Sequence, residues 1–588
     1  MFLVLAGAAL NVPNRFHVRE FPTRISSLNY HPLRCIMKSL FAILLCIVVV
    51  LADDNLADEQ HEVFAPIGKI RGSTMTTRLG KKIYSFRGVR YAEPPTGQQR
   101  FQVAIPAVDW NDVFDATKEG PACPAIHEQN IMEDCLRVNV YTTKLPSTDE
   151  LVRRPVLVFF HPGGFYLFSA RSSNFGPQYL LDKDIVLVTV NYRIATLGFM
   201  STGDSKAPGN LGLKDQVEAL RWIQRNIATF GGDPDSVTIS GYSVGGISVL
   251  LHMVSPMSAG LFHRAIVMSG GTLKESFPTE QLHLAKKQAQ LLDCPIDSTG
   301  SMLICLNSKP VENFTDTISK FFEWYSYPML IWTPVVEPEV HDVERFLPDQ
   351  PINLIKQGKF HKVPLIAGVT KNEFDGVAAY VSKQHTLGND SFVDDLNNDW
   401  YKLAPINFLY ERDTPRSRHI STELRQFYFG DKPIGPNSYD SLGHINTDGI
   451  VIYPMHRIIK LIAEMSDQPV YFYMFSYQGR YSFVMLNKTT PYGVVHHDDL
   501  QYLFFMKFKF PFFEKDDPEI PTVELMTSMW SNFAQIGQPV SPSSGINVTW
   551  EQYLPEKDNY LEISEEPNMK TGLFPDRMQK WDSLFPLN

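Results

Sequence analysis

One six-residue stretch restricts the fold of this chain more than any other: Gly241-Tyr242-Ser243-Val244-Gly245-Gly246. It follows a short β-branched run, Val237-Thr238-Ile239-Ser240, and precedes an apolar helix-length segment, Ile247–Val254. A serine on a sharp strand-to-helix turn needs very small residues two positions either side, because the backbone there is strained and crowded. Gly241 and Gly245 meet that demand. The helix behind such a turn aims its N-terminal amides and positive dipole end at developing negative charge. Ser243 is therefore read as a nucleophile, with an ordinary Gly-rich turn as the plainer alternative.

The rest of the chain supplies the framework that such a turn requires. Val156-Leu157-Val158-Phe159-Phe160 and Ile185-Val186-Leu187-Val188-Thr189-Val190 are continuous apolar runs, the pattern of parallel strands covered on both faces. Ala265–Met268, Pro364–Ala367 and Val470–Phe475 read the same way. Between Leu213 and Thr229, Val217, Leu220, Ile223 and Ile227 recur at helical spacing among charged residues. Strand–helix alternation predicts an α/β protein with a mostly parallel sheet flanked by helices. Residues 275–360 and 376–465 read as helical insertions. There is no internal repeat and no long Gly/Ser or Pro-rich linker. The 588 residues are therefore expected to hold one large domain rather than the several that length alone suggests.

Acyl transfer at a serine also needs amide donors for the oxyanion, one set of which follows an earlier strand. After Phe160 comes His161-Pro162-Gly163-Gly164-Phe165. The amides of Gly163 and Gly164 are candidates, with that of Val244 as the third. Pro162 has no N–H to give. An ordinary tight turn is the alternative here.

The start of the chain reads as a targeting segment. Met37-Lys38-Ser39 precedes the 13-residue apolar run Leu40–Ala52, and then the chain turns acidic at Asp53-Asp54. That order describes a secretory signal peptide, and the run is short for a membrane span. Residues 1–36 are expected to be an upstream extension, 37–52 a signal peptide and 53–588 the folded domain. Losing residues 1–52 removes five bases and one acid, moving the net charge from −10 to −14. An acidic chain without Lys/Arg clusters is a poor partner for nucleic acid. The four remaining cysteines fall in two close pairs, Cys123 with Cys135 and Cys294 with Cys305. Sequons stand at Asn313, Asn389, Asn487 and Asn547, consistent with a secreted glycoprotein.

These motifs sit among others that together resemble the carboxylesterase type-B family, which includes cholinesterases, insect esterases and juvenile hormone esterases. The resemblance runs from about Gly68 to near the C-terminus. It is carried by Phe86–Gly97, Glu133–Tyr141, Asn191-Tyr192-Arg193, Gly209–Gln216, Phe230–Pro234 and Trp530–Ala534. It implies an α/β-hydrolase fold with triad order Ser, acid, His. Carried over position by position, it makes Glu373 the acid, in Gly368–Phe374, with Asp375 as rival. It makes His496 the base, in Gly493–Phe504, with His497 at a variable position. The adjacent histidines invite a metal reading, but neighbouring side chains diverge and no third ligand is evident. The resemblance also implies disulfides Cys123–Cys135 and Cys294–Cys305, and structural ion pairs Arg100–Glu133 and Arg193–Asp215. It calls for no cofactor, and for a small-molecule ester as substrate.

The chain departs from the family pattern at three places. Phe374 stands where a Gly usually follows the acid. Tyr242 replaces a frequent Glu and so removes a buried carboxylate near the site. Val244 keeps its amide but narrows the space. Residues Pro124–Asp134 hold no aromatic residue, which argues against recognition of a quaternary ammonium. The Phe321–Tyr325 stretch is read as gorge lining or core. The reading is thus a secreted serine carboxylesterase. A non-catalytic, esterase-like adhesion protein is the alternative, and typically lacks triad members that are present here. Xenobiotic esters, lipid esters, pheromones and juvenile hormone are the substrate classes left open.

Overall fold

A computed structural model describes residues 60–147, 152–271, 276–340, 344–542 and 544–587. The expected extension at 1–36 and the signal peptide at 37–52 lie outside the described residues. A sheet of thirteen described strands runs through the protein. Its centre, in spatial order, is Val186–Val190, Arg154–Phe160, Gly232–Tyr242, Arg264–Met268, Leu365–Thr370, Val470–Phe475 and Asn559–Ile563, all parallel. On one side the sheet continues antiparallel through Arg137–Thr142, Lys82–Arg90, Gly68–Thr76 and His61–Ala65. On the other, Asn568–Thr571 closes it, also antiparallel.

Both faces of the central strands are covered, which is why they are apolar without alternation. Val156, Val158 and Phe160 point into one core and Leu157 and Phe159 into another, as the two-residue period of a strand requires. The first core includes Val217, Leu220 and Ile223 of the helix Leu211–Asn226, and Val249 and Leu251 of the helix Val244–Val254. The second includes Met526, Trp530 and Phe533 of the helix Ile520–Ile536.

Register then decides where the chemistry collects. Phe160 pairs with Gly241, Tyr242 with Met268, and Met268 with Gly368. The C-terminal ends of these strands therefore share one edge, and the loops leaving them carry His161–Gly164, Ser243, Ser269 and Glu373. Ligand sites of parallel α/β sheets form at such edges.

The insertion at 376–465 is helical as expected, with helices at Gly376–Thr386, Ser391–Phe408, Pro415–Phe429, Tyr439–Thr447 and Tyr453–Met465. The insertion at 275–360 is so only in part. Helices occupy Leu282–Leu291, Thr299–Asn307, Val311–Thr317 and Pro351–Lys356, while the described residues from Phe322 to Gln350 run as irregular chain. Prolines at 328, 334, 338 and 348 withhold the amide that a helix needs there. Both bridges are formed, Cys123–Cys135 with Cα atoms 4.9 Å apart and Cys294–Cys305 with Cα atoms 5.6 Å apart. The Arg193–Asp215 pair is fully buried at 2.6 Å, and Arg100 holds Glu133 at 2.6 Å.

Candidate active site

Ser243 joins the strand Gly232–Tyr242 to the helix Val244–Val254 with φ 55° and ψ −121°. A residue with a side chain in that region carries about 1–3 kcal/mol of strain. The neighbours leave no alternative to glycine. A Cβ on Gly241 would lie 2.2 Å from the Gly245 carbonyl carbon, and one on Gly245 would lie 2.1 Å from the Phe160 oxygen. The Ser243 amide donates to Met268 O at 2.9 Å, and its carbonyl accepts from Ile247 N. The turn is thus pinned on both sides while the side chain faces a small cavity.

That cavity, of about 30 Å³, is lined by Ser243, Gly164, Val244, Ile247, Leu330 and Phe374 among others. None of the described hydrogen bonds uses the amides of Gly163, Gly164 or Val244 as donors. The Gly163 carbonyl accepts from Tyr166 N and Leu167 N, which turns its loop back on itself beneath the sheet edge. His161 is buried in this loop, stacked on Tyr192 with ring centroids 4.4 Å apart, and the Tyr192 hydroxyl donates to His161 O. Burial pushes the His161 imidazole down to about 4, so it is a neutral support for the loop at ordinary pH.

Glu373 and His496 meet although 123 residues separate them. His496 Nδ1 lies 2.5 Å from Glu373 Oε2, and His496 N donates to Glu373 O at 2.8 Å. The second carboxylate oxygen accepts from Ser269 Oγ at 2.6 Å and from Thr370 N at 2.8 Å. Asn372 stitches the two loops together, its N–H donating to Val494 O and its side-chain oxygen accepting from Val494 N. Burial pushes the Glu373 carboxyl up, against the pull of its Ser269 and Thr370 hydrogen bonds. Burial likewise pushes the His496 imidazole down. The environment therefore favours a neutral imidazole, the form that accepts a proton.

Aromatic rings flank that imidazole. Phe374 stacks on it at 4.7 Å and 30°, and Tyr242, the residue before Ser243, meets it edge-on at 5.0 Å. The His497 ring does not diverge from it as expected of adjacent side chains but packs against it at 4.3 Å, within an aromatic cluster with Tyr242 and Phe483, and the His497 N–H donates to the Tyr242 hydroxyl at 2.8 Å. The rival acid Asp375 faces elsewhere, accepting from Thr447 Oγ1 and Asn372 Nδ2 at 2.7 Å each. The Phe321–Tyr325 stretch divides: Phe321 packs on Trp332 in the core, Tyr325 is exposed, and none of the five lines the cavity at Ser243.

Sequence reasoning missed two partners. Ser269 and Thr370 hold Glu373, the expected acid, and Ser269 could have been sought at the end of its strand, where loops carry function. It also took Tyr242 to remove a buried carboxylate. One lies beneath the site nonetheless: Asp499 is buried against the hydroxyls of Tyr242 and Tyr473, its carboxyl raised to about 7 by burial.

A family model described as the carboxylesterase family matches residues 59–581. Esterase E4 of Myzus persicae is 34% identical over 549 residues, 90% of this chain and 95% of that protein. A juvenile hormone esterase of Tribolium castaneum is 32% identical over 86% of this chain and 87% of its own length. The crystal structure of juvenile hormone esterase from Manduca sexta, with OTFP covalently attached, superposes with a TM-score of 0.79 at 29% identity. It covers 90% of this chain and 100% of the other.

Proposed function

The chain belongs to the carboxylesterase family and is a carboxylic ester hydrolase, and on that premise we propose that it is a secreted serine esterase working through an acyl-enzyme. Ser243 is the nucleophile, His496 the base and Glu373 the acid that orients it. The amides of Gly163, Gly164 and Val244 receive the oxyanion. One observation carries the reading: the buried His496–Glu373 pair lies against Tyr242, the residue that leads into the strained turn at Ser243.

Each step follows from that arrangement. Ser243 Oγ attacks the ester carbonyl carbon while His496 Nε2 takes its proton. The carbonyl oxygen, now negative, meets amide donors that are already in place and need no reorganisation. Glu373 accepts from Nδ1–H, which fixes the tautomer and offsets the charge of the imidazolium. The imidazolium then protonates the departing alkoxide, so the C–O bond breaks to release an alcohol and leaves Ser243 acylated. Water repeats the cycle, with His496 taking a proton from it, and releases the carboxylic acid. The OTFP attached covalently in the related juvenile hormone esterase is what a nucleophilic site of this kind yields.

The fold is read as a single domain over residues 53–588, secreted after cleavage before Asp53, with two disulfides suited to an oxidising compartment. The test is a fluorophosphonate probe applied to the secreted protein. It labels the wild type and leaves Ser243→Ala unlabelled and inactive on p-nitrophenyl acetate with an unchanged melting temperature. Full turnover by Ser243→Ala removes Ser243 from the mechanism, and N-terminal sequencing that begins before Met37 removes the secretion route.

A further inference from the structure

The alcohol and acyl portions of a bound ester must leave Ser243 in different directions. The alcohol oxygen has to come within about 2.6–3.2 Å of His496 to receive its proton. The carbonyl oxygen is claimed by the amides of the Gly163–Gly164 loop and Val244. What remains for the acyl substituent is the cavity beside Ser243. Its lining includes Gly164, Val244, Ile247, Leu330 and Val451, but His496 is not among the described residues that line it. The Phe374 ring explains the exclusion. It lines the cavity and also stacks on the imidazole at 4.7 Å, so it is the wall between base and cavity.

The main chain that carries this ring is pinned on both sides. Phe374 N donates to Thr447 Oγ1 at 3.0 Å, and the same hydroxyl donates to Asp375 Oδ1 at 2.7 Å. The residue before it, Glu373, is held by Ser269 and Thr370. The ring itself is buried, 8% exposed. The cavity measures about 30 Å³. Its walls include Gly164 and Val244, whose amides take the oxyanion, so the carbonyl group itself fills part of this space and little is left for a long acyl chain.

We propose that Phe374 sets the acyl length this enzyme accepts, restricting it to esters of short acids, acetyl to butyryl, by closing the acyl cavity against the catalytic histidine. The proposal rests on Ser243 as the acylated residue and extends that reading to the substrate class. Phe374 acts by touching the acyl chain and takes no part in proton transfer.

The test measures kcat/KM for p-nitrophenyl acetate, butyrate, hexanoate and octanoate with the full secreted chain. Wild type, Phe374→Ala and Phe374→Trp are compared, each normalised to the fraction labelled by a fluorophosphonate. In the wild type kcat/KM falls at least about tenfold from butyrate to hexanoate, the scale on which a hydrophobic pocket discriminates. In Phe374→Ala the hexanoate-to-butyrate ratio rises about tenfold or more, and Phe374→Trp shifts preference toward acetate. A flat profile in a wild type that labels fully overturns the proposal and leaves the serine reading intact. So does an unchanged ratio in whichever of the two variants labels. A wild type that does not label overturns the serine reading and this proposal together.

Discussion

His496 is tied to Glu373 twice, by its backbone N–H to the Glu373 carbonyl and by Nδ1 to the carboxylate. Because the main-chain bond survives a change of side chain, the position and the charge of the acid can be tested apart. Glu373→Gln keeps the loop and replaces the carboxyl with an amide. It lowers kcat by about 10³–10⁴-fold, the scale seen when a triad acid becomes an amide, with KM and thermal stability little changed. Asp375→Asn does the opposite, because Asp375 bonds Thr447 and Asn372 rather than the histidine. It leaves kcat within a few-fold and lowers stability by about 1–3 kcal/mol, the cost of weakening a buried charged hydrogen bond. Steady-state kinetics with thermal denaturation separates the two, and a kcat collapse in Asp375→Asn alone would reverse the assignment.

A second prediction concerns acid stability. His252 is buried in the helix Val244–Val254, with Ser258 Oγ at 2.7 Å from Nδ1 and Gln216 Oε1 at 2.9 Å from Nε2. Desolvation lowers its imidazole from 6.5 to about 3. A group whose folded pKa is depressed binds its proton more readily when unfolded, so its contribution is complete above pH 6.5. That contribution is lost as pH falls toward about 3. Each unit in that window costs about 1.4 kcal/mol. Between pH 7 and 5 the wild type should therefore lose about 2 kcal/mol more than His252→Gln in urea unfolding. Equal losses would show that His252 is charged in the fold.

The four sequons are not equivalent in the structure. Asn389, Asn487 and Asn547 are exposed, whereas Asn313 is half-buried within the helix Val311–Thr317 and adjoins the buried Phe314. Peptide mapping after deglycosylation in heavy-oxygen water is expected to mark the first three and leave Asn313 unmodified. A glycan on Asn313 would require that helix to be accessible to the transferase.

Glycines on this chain also differ sharply in what a methyl group would meet. Gly245→Ala drives a Cβ onto the Phe160 carbonyl, main chain that cannot step aside. It is expected to cost about 3 kcal/mol or more and to abolish secretion. Gly300→Ala, inside the helix Thr299–Asn307 with its nearest neighbour 3.9 Å away, should stabilise by about 0.5–1 kcal/mol. Melting temperatures and secreted yield read both.

The central strands were legible because burial on two faces writes itself as unbroken apolar runs. Val470–Phe475 forms at the expected residues, and Val156–Phe160 is extended only by Arg154 and Pro155. The antiparallel strands Gly68–Thr76 and Lys82–Arg90 left no such mark. Lys69, Arg71, Lys82 and Arg87 interrupt them, since those strands lie toward an edge where one side meets solvent. The elbow was legible for a steric reason, because no residue but glycine fits at Gly241 and Gly245. Ser269 and Thr370 were not, because a single hydroxyl and a single amide carry no pattern until the strands bring them to the acid. The role of Phe374 was visible only as an anomaly in a motif, and its meaning came from the ring lying on His496.

The backbone at Ser243 carries a consequence for how such a protein ages in evolution. Its φ of 55° and ψ of −121° suit glycine far better than serine. Ser243→Gly would therefore relax the turn while removing the proposed nucleophile. Selection for turnover has to hold the serine against a thermodynamic slope. Once that selection lapses, a duplicated copy can shed its chemistry and become sturdier in the same step. In the proposed mechanism the nucleophile stands where glycine would be the less strained residue.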